Sequence, residues 1–248
     1  MGKPLSSSKF LFGIILTFLY LLPSATWALP IDSVVTVQPI QVCDDFGIGC
    51  APVGFFEAET DKIWSQAGID IDFLGPTKFH ESDFLVLDDI TEVMDLFRVP
   101  GHSNHPDTSV LNLWFVSDIA GAFGFGEVGG NGMAIRMDVL PSTMGIGQLG
   151  TIAHEIGHNL GLTHESGLYD PFNLMTVLFD VQPMDIHDIF PDGAMTEQLN
   201  MNQINTARSS RFVIPIVTQP IPEPSTMLLF GSGLAGLAVW RYRKSKTA

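Results

Sequence analysis

Residues 31–42 alternate apolar, mostly β-branched positions with polar ones, the two-residue period of a strand. Residues 44–52 break that alternation with aspartates and glycines and read as a turn. Over residues 55–66 the period lengthens. Phe56, Ile63 and Ala67 space one helical stripe, and Glu57, Glu59 and Asp61 gather near its start, where the helix dipole favours acids. Gly68 ends that helix, and residues 69–74 alternate again as a strand. A short helix is expected over 88–98, stopped by Pro100-Gly101, and a buried strand over 110–116 from its apolar content. Residues 121–132 are glycine-rich without a phosphate-loop pattern and read as a flexible or bulged connection; residues 133–137 follow as a short strand. After a turn at Pro141-Ser142-Thr143, helices are expected over 148–160 and 196–209, the second with Thr196 as N-cap and Leu199 and Ile204 facing inward.

The helix over 148–160 carries the chemistry. It contains His154-Glu155-Ile156-Gly157-His158, continued by Gly161 and His164. Histidines four apart share a helix face, so both imidazoles reach one ion. Glu155 stands beside the first of them, placed to take a proton from an activated water. Gly161 falls where the chain must turn, and the turn returns His164 as a third ligand. Three neutral imidazoles leave one position of a tetrahedral zinc site open, the arrangement of catalytic zinc.

This spacing resembles the signature of the metzincin zinc metallopeptidases. The resemblance covers most of residues 33–213 and is specific around 154–175. It implies an α+β, zincin-like domain with an α/β-like upper half: a twisted mixed sheet with an antiparallel edge strand, an active-site helix and a C-terminal helix. It further implies that His154, His158 and His164 bind Zn2+, that Glu155 is the general base, and that Met175 is the methionine of the turn beneath the metal. The strand around Ala134 and Ile135 would be the sheet edge that pairs with an extended protein or peptide substrate. Glu165 directly follows the third histidine, as in astacins, but Val177 stands where astacins carry a tyrosine.

The two ends of the chain carry transport signals. Lys3 and Lys9, an apolar run over 10–22 and small residues up to Ala28 are ordered as in a secretory signal peptide, cleaved after Ala28. Near the other end, Pro222-Glu223-Pro224 precedes a Gly-containing apolar run over 227–240 and the basic residues Arg241, Arg243, Lys244 and Lys246. That order reads as a short membrane segment with a cytoplasmic stop. It also resembles the PEP-CTERM sorting signal of Gram-negative bacteria, which implies handling by exosortase-type machinery and display at, or release from, the cell surface. The expected layout is a signal peptide over 1–28, a catalytic domain over 29–213, a linker over 214–221 and the sorting signal over 222–248.

Composition narrows the partners. The chain has 27 acidic against 12 basic residues, a formal net charge of −15. Half of the basic residues lie in the terminal segments, so residues 29–222 carry roughly −20. Such a surface disfavours nucleic acid. Solubility explains the acidity; a sharper alternative is Ca2+ held by Asp180, Asp185, Asp188 and Asp192. Cys43 and Cys50, the two cysteines of an exported chain, are disulfide candidates, with a latency thiolate on the metal as the alternative. His102, His105 and Asp107 offer a second metal group or a solvated loop. The leading functional expectation is an exported zinc endopeptidase; the alternative is a silent surface or matrix binding protein on the same scaffold.

Overall fold

A computed structural model describes residues 29–98, 104–136, 149–165, 170–176 and 185–216. Residues 1–28, the C-terminal apolar run, Pro141-Ser142-Thr143, Val177, His102 and Asp180 lie outside these residues. Among the described residues no helix is long and apolar enough to cross a membrane.

The chain alternates strands and helices in the order β1 (Ser33–Cys43), α1 (Glu57–Ser65), β2 (Ile69–Phe73), β3 (Thr77–His80), β4 (Val86–Leu87), α2 (Ile90–Arg98), β5 (Leu111–Val116), β6 (Asp118–Ile119), β7 (Gly124–Gly126), β8 (Gly132–Arg136), α3 (Thr151–Asn159) and α4 (Met201–Arg208). The main sheet runs β2-β1-β5-β8-β7. β1, β2, β5 and β8 are mutually parallel, and β7 closes the edge antiparallel to β8. This is the mixed sheet with an antiparallel edge that the sequence implied.

The length of β1 explains how it serves two neighbours on one side. Its first half pairs with β2 from Ser33↔Ile69, and its second half pairs with β3 from Ile40↔Thr77. Alternation sorts its apolar residues between two cores. Val35 and Val37 join Leu111, Leu113, Phe115, Met133 and Ile135 on one face, under Ile63 and Trp64 of α1 and Ile152 and Ile156 of α3. Ile40 and Val42 join Trp114, Val116 and Ala134 on the other, covered by Val93, Leu96 and Phe97 of α2. With helices on both faces, all six residues of β5 are buried, as expected of a central parallel strand.

Four expectations are corrected. Residues 121–132 are not merely a connection: they contain β7, whose Gly-Phe-Gly sequence gives no alternating apolar signal. Ala134 and Ile135 are not on the sheet edge. β8 lies between β5 and β7, and both side chains are buried in the two cores. The last helix begins at Met201, with Asn200 as its N-cap rather than Thr196. The Asn200 side chain accepts from the backbone N–H groups of Asn202 and Gln203, each at 3.0 Å, a capping box that the Asn-x-x-Gln spacing encodes. Thr196 is instead buried, donating its hydroxyl to Asp188 O at 3.2 Å. β3 was missed because only Phe79 of its four residues is buried.

Cys43 and Cys50 form a disulfide that closes the turn after β1. Asp44 fixes that turn from within, accepting from the backbone N–H groups of Ile48 and Gly49 at 2.9 and 2.8 Å.

Candidate metal centre

Every residue of α3 is buried. Ile152, Ile156 and Leu160, spaced four apart, press it into the first core. The helix ends on Gly161, whose φ of 96° lies outside what an L side chain accepts readily. A Cβ there would meet only Thr206 Cγ2, at 3.7 Å, so backbone conformation rather than space requires the glycine. Gly161 and Leu162 N–H close the turn on His158 O and Gly157 O, each at 2.9 Å.

The turn brings the third histidine back to the first two. His164 Nε2 lies 3.2 Å from both His154 Nε2 and His158 Nε2. Among the described residues this is the only group of three or more His, Cys, Asp or Glu that can hold a metal ion. The opposite ring nitrogens settle the tautomers. His154 Nδ1 lies 2.6 Å from Leu174 O, and His158 Nδ1 lies 2.9 Å from Leu162 O. A carbonyl only accepts, so each Nδ1 carries the proton and each Nε2 presents a lone pair to the shared point. Nitrogens on one tetrahedral zinc stand about 3.3 Å apart, given Zn–N bonds of about 2.0–2.1 Å. The two distances from His164 match that spacing, and all three ligand atoms lie within 4.8 Å of one another, close enough to share one ion.

Electrostatics agree with the donor set. Burial lowers all three imidazole pKa values, that of His154 to about 3 with help from His158. All three are neutral at neutral pH, the state in which imidazole binds metal. Burial pushes Glu155 up to about 8, partly opposed by the Gly126 N–H that its carboxylate accepts. Positive charge on the triad would draw it back towards the ionised form.

Strand β7 lies directly over this carboxylate. A Cβ on Gly124 would stand 2.7 Å from Glu155 Oε1, and one on Gly126 would stand 2.6 Å from Glu155 O and 3.0 Å from His158 Cβ. At Gly126 the clash would be with backbone, so glycine is required; at Gly124 a side chain would displace the ends of Glu155 and Ile135. Arg136 N donates to Phe123 O and Glu127 N to Gly132 O, each at 3.0 Å. The backbone groups of residues 123, 125 and 127 thus face β8, and those of Gly124 and Gly126 face away from it, along the free edge. A cleft of about 710 Å³ opens beside them, lined by Phe123, Phe125, Val128, Glu155 and the triad.

Met175 is fully buried below the helix. Its Sδ occupies the space that a side chain at Gly157 would need, 2.6 Å from an ideal Cβ there. Asn173 holds the segment: its Oδ1 accepts from Met175 N at 2.9 Å, and its amide pairs reciprocally with Gln203 of α4 at 3.0 and 2.9 Å. At the other end of α3, the buried Glu197 carboxyl packs on Gly150, where a Cβ would be 2.6 Å from its Oε1. Burial raises the Glu197 pKa to about 8.

The other candidate groups do not converge. Asp185 caps a 3₁₀ turn by accepting from His187 N, Asp188 accepts from Asp185 N, and Asp192 pairs with Lys62 at 2.9 Å. These carboxylates are committed to local structure and make no calcium cage among the described residues. Asp107 accepts from Ser109, and His105 Nδ1 accepts from Asp107 N, so that pair shapes a turn. Leu174 O, Leu162 O, Gly124, Gly126, Gly157 and Asn173 were not singled out from sequence. The two carbonyls leave no side-chain signal at all, whereas the glycines of β7 were visible and read as flexibility.

Residues 220–244 match the model of the PEP-CTERM protein-sorting motif. No curated protein matches the chain by sequence. Among solved structures, mature mirolysin of Tannerella forsythia in complex with a cleaved peptide is 14% identical, with 75% of this chain and 92% of that one covered at a TM-score of 0.46. A zinc-dependent peptidase from Methanocorpusculum labreanum is also 14% identical, covering 68% and 99% at a TM-score of 0.39. A chain in a chaperone–substrate complex is 13% identical, with 72% of this chain covered at a TM-score of 0.42; the present chain spans about a third of its length, 34%. The chain carries a C-terminal sorting signal of the PEP-CTERM type.

Proposed function

We propose that the protein is an exported zinc-dependent endopeptidase that hydrolyses peptide bonds. The observation that carries this reading is the convergence of three Nε2 atoms beside a buried carboxylate, under an open strand edge. His154, His158 and His164 would hold the zinc. Zinc in such a site supplies a Lewis acid that polarises the scissile carbonyl and makes water acidic. Glu155 takes the proton from the attacking water and returns it to the leaving amine. The outward-facing backbone of Gly124 and the Gly126 carbonyl, rather than the backbone near Ala134 and Ile135, pair with an extended substrate by strand addition, the Gly126 N–H being taken by the Glu155 carboxylate. Met175 packs beneath the ligands without binding the ion.

In this reading residues 1–28 direct export, 29–213 form the catalytic domain, 214–221 link it, and 222–248 are handled by exosortase-type machinery after transient anchoring in the membrane. The product is displayed at, or released from, the surface of a Gram-negative cell. A catalytically silent binding protein on the same scaffold is the other reading, and the intact Glu155 weighs against it.

The test is cleavage of a diverse peptide library by the zinc-loaded protein, read by mass spectrometry, beside Glu155→Gln and a chelated sample. Cleavage that disappears in both controls, while Glu155→Gln keeps its zinc, supports the reading. Zinc-loaded wild type that cleaves nothing, or Glu155→Gln that cleaves like wild type, overturns it.

A further inference from the structure

Asn159 follows the second histidine, and neither metal binding nor proton transfer uses it. It is fully buried. Its Nδ2 donates to three backbone carbonyls: Glu127 O at 3.1 Å, Gly130 O at 2.9 Å and Gly132 O at 2.9 Å. Glu127 and Gly130 belong to the turn that joins β7 to β8, and Gly132 opens β8. A further bond ties the same turn to the helix, from Gly129 N to His158 O at 2.9 Å. The turn closes on itself through Gly130 N to Glu127 O at 2.9 Å.

The chemistry of the contact is specific. Three carbonyls converging on one point need a donor with more than one hydrogen and no competing lone pair, which a primary amide nitrogen supplies. Aspartate would present only acceptors, and alanine would leave buried carbonyls unpaired. Asn159 Oδ1 has no partner among the described residues, so the position is kept for its donor alone.

We infer that Asn159 is a positioning residue: it locks the β7–β8 hairpin to the end of α3 and so fixes the height of the Gly124–Gly126 edge over Glu155 and His158. This inference rests on the reading of β7 as the substrate-pairing edge. β7 is short and, among the described residues, has β8 as its only strand partner, so its placement depends on its two ends. Arg136 N to Phe123 O holds one end; at the other, Asn159 supplies the side-chain tie beside the backbone bonds from Glu127 N to Gly132 O and from Gly129 N to His158 O. Without that lock the edge would pair with substrate in several positions, weakening binding more than chemistry.

The experiment compares wild type with Asn159→Ala and Asn159→Asp by peptide kinetics, zinc content and hydrogen exchange of residues 124–132. For Asn159→Ala we expect KM to rise about tenfold, the worth of one or two buried hydrogen bonds. Its kcat should stay within about threefold of wild type, with one zinc kept per chain and faster exchange confined to the hairpin. Asn159→Asp should be worse in KM and exchange, because it sets an acceptor against three acceptors. Unchanged KM and exchange in Asn159→Ala, or kcat and zinc content falling together, overturns the inference. Wild type that cleaves no peptide defeats the peptidase reading alone; hydrogen exchange then decides whether Asn159 holds the hairpin.

Discussion

Gly157 of the metal helix and Met175 of the segment beneath it fill one space: the Met175 thioether sits where a Gly157 side chain would begin, 2.6 Å from an ideal Cβ. Glycine inside a helix ordinarily costs about 1 kcal/mol relative to alanine. Here the helix accepts that cost so that a methionine can lie under the histidines. Gly157→Ala should therefore destabilise the protein by about 1–3 kcal/mol, as overpacking does, despite the gain in helix propensity. In the Met175→Ala background the same change should be close to neutral. Denaturant unfolding of the four proteins gives the coupling directly.

The three histidines should respond differently to truncation. His164 is exposed, whereas His154 is buried and bonded to Leu174 O. His164→Ala should leave the metal-free protein within about 0.5 kcal/mol of wild type, the usual effect at an exposed position. It should also abolish stabilisation by zinc, which for wild type reaches about 4 kcal/mol at a thousandfold excess over Kd. His154→Ala should lose stability even without metal. Thermal melts with and without zinc, each beside a chelated control, separate the two effects.

Glu197 makes stability depend on pH. Burial raises its pKa from 4.5 to about 8 in the folded protein. Between those values the folded state holds a proton that the unfolded state has released. The contribution is thus fully present below 4.5 and is lost as pH rises through about 8. Glu197→Gln keeps the shape of the neutral carboxyl and cannot ionise. Its unfolding free energy should fall less steeply over that window than that of wild type, and the two curves should diverge progressively towards pH 9. Urea titrations at a series of pH values check this; parallel curves would remove Glu197 as the cause.

How far the site could be read from sequence depended on whether its parts had side-chain signatures. His154, His158, His164 and Gly161 sit at fixed helical and turn offsets, so their convergence was legible. Val35, Val37, Leu111 and Leu113 announced their strands by alternation and content. β7 did not, because Gly124 and Gly126 are chosen for what they lack, and a missing side chain looks the same in a flexible loop as under a packed helix. The edge was consequently assigned one strand too far in, at Ala134 and Ile135, whose burial on both faces reflects the neighbour that sequence had not revealed. Thr196 was a plausible cap by type, but Asn200 stood four residues on with Gln203 in capping-box register, and that pair decided the start of α4.

The orientation of the two helix-borne histidines rests on the carbonyl oxygens of Leu174 and Leu162. Those atoms are present whatever side chain stands at either position. An alanine scan across the site would pass over both residues and register only their packing, and the genetic code offers no single-residue change that deletes an oxygen of the main chain. The imidazoles are aimed by the path of the chain itself, so substitutions that redirect it at Gly161 or Asn173 should disturb the metal more than any change in the leucines that hold it in place.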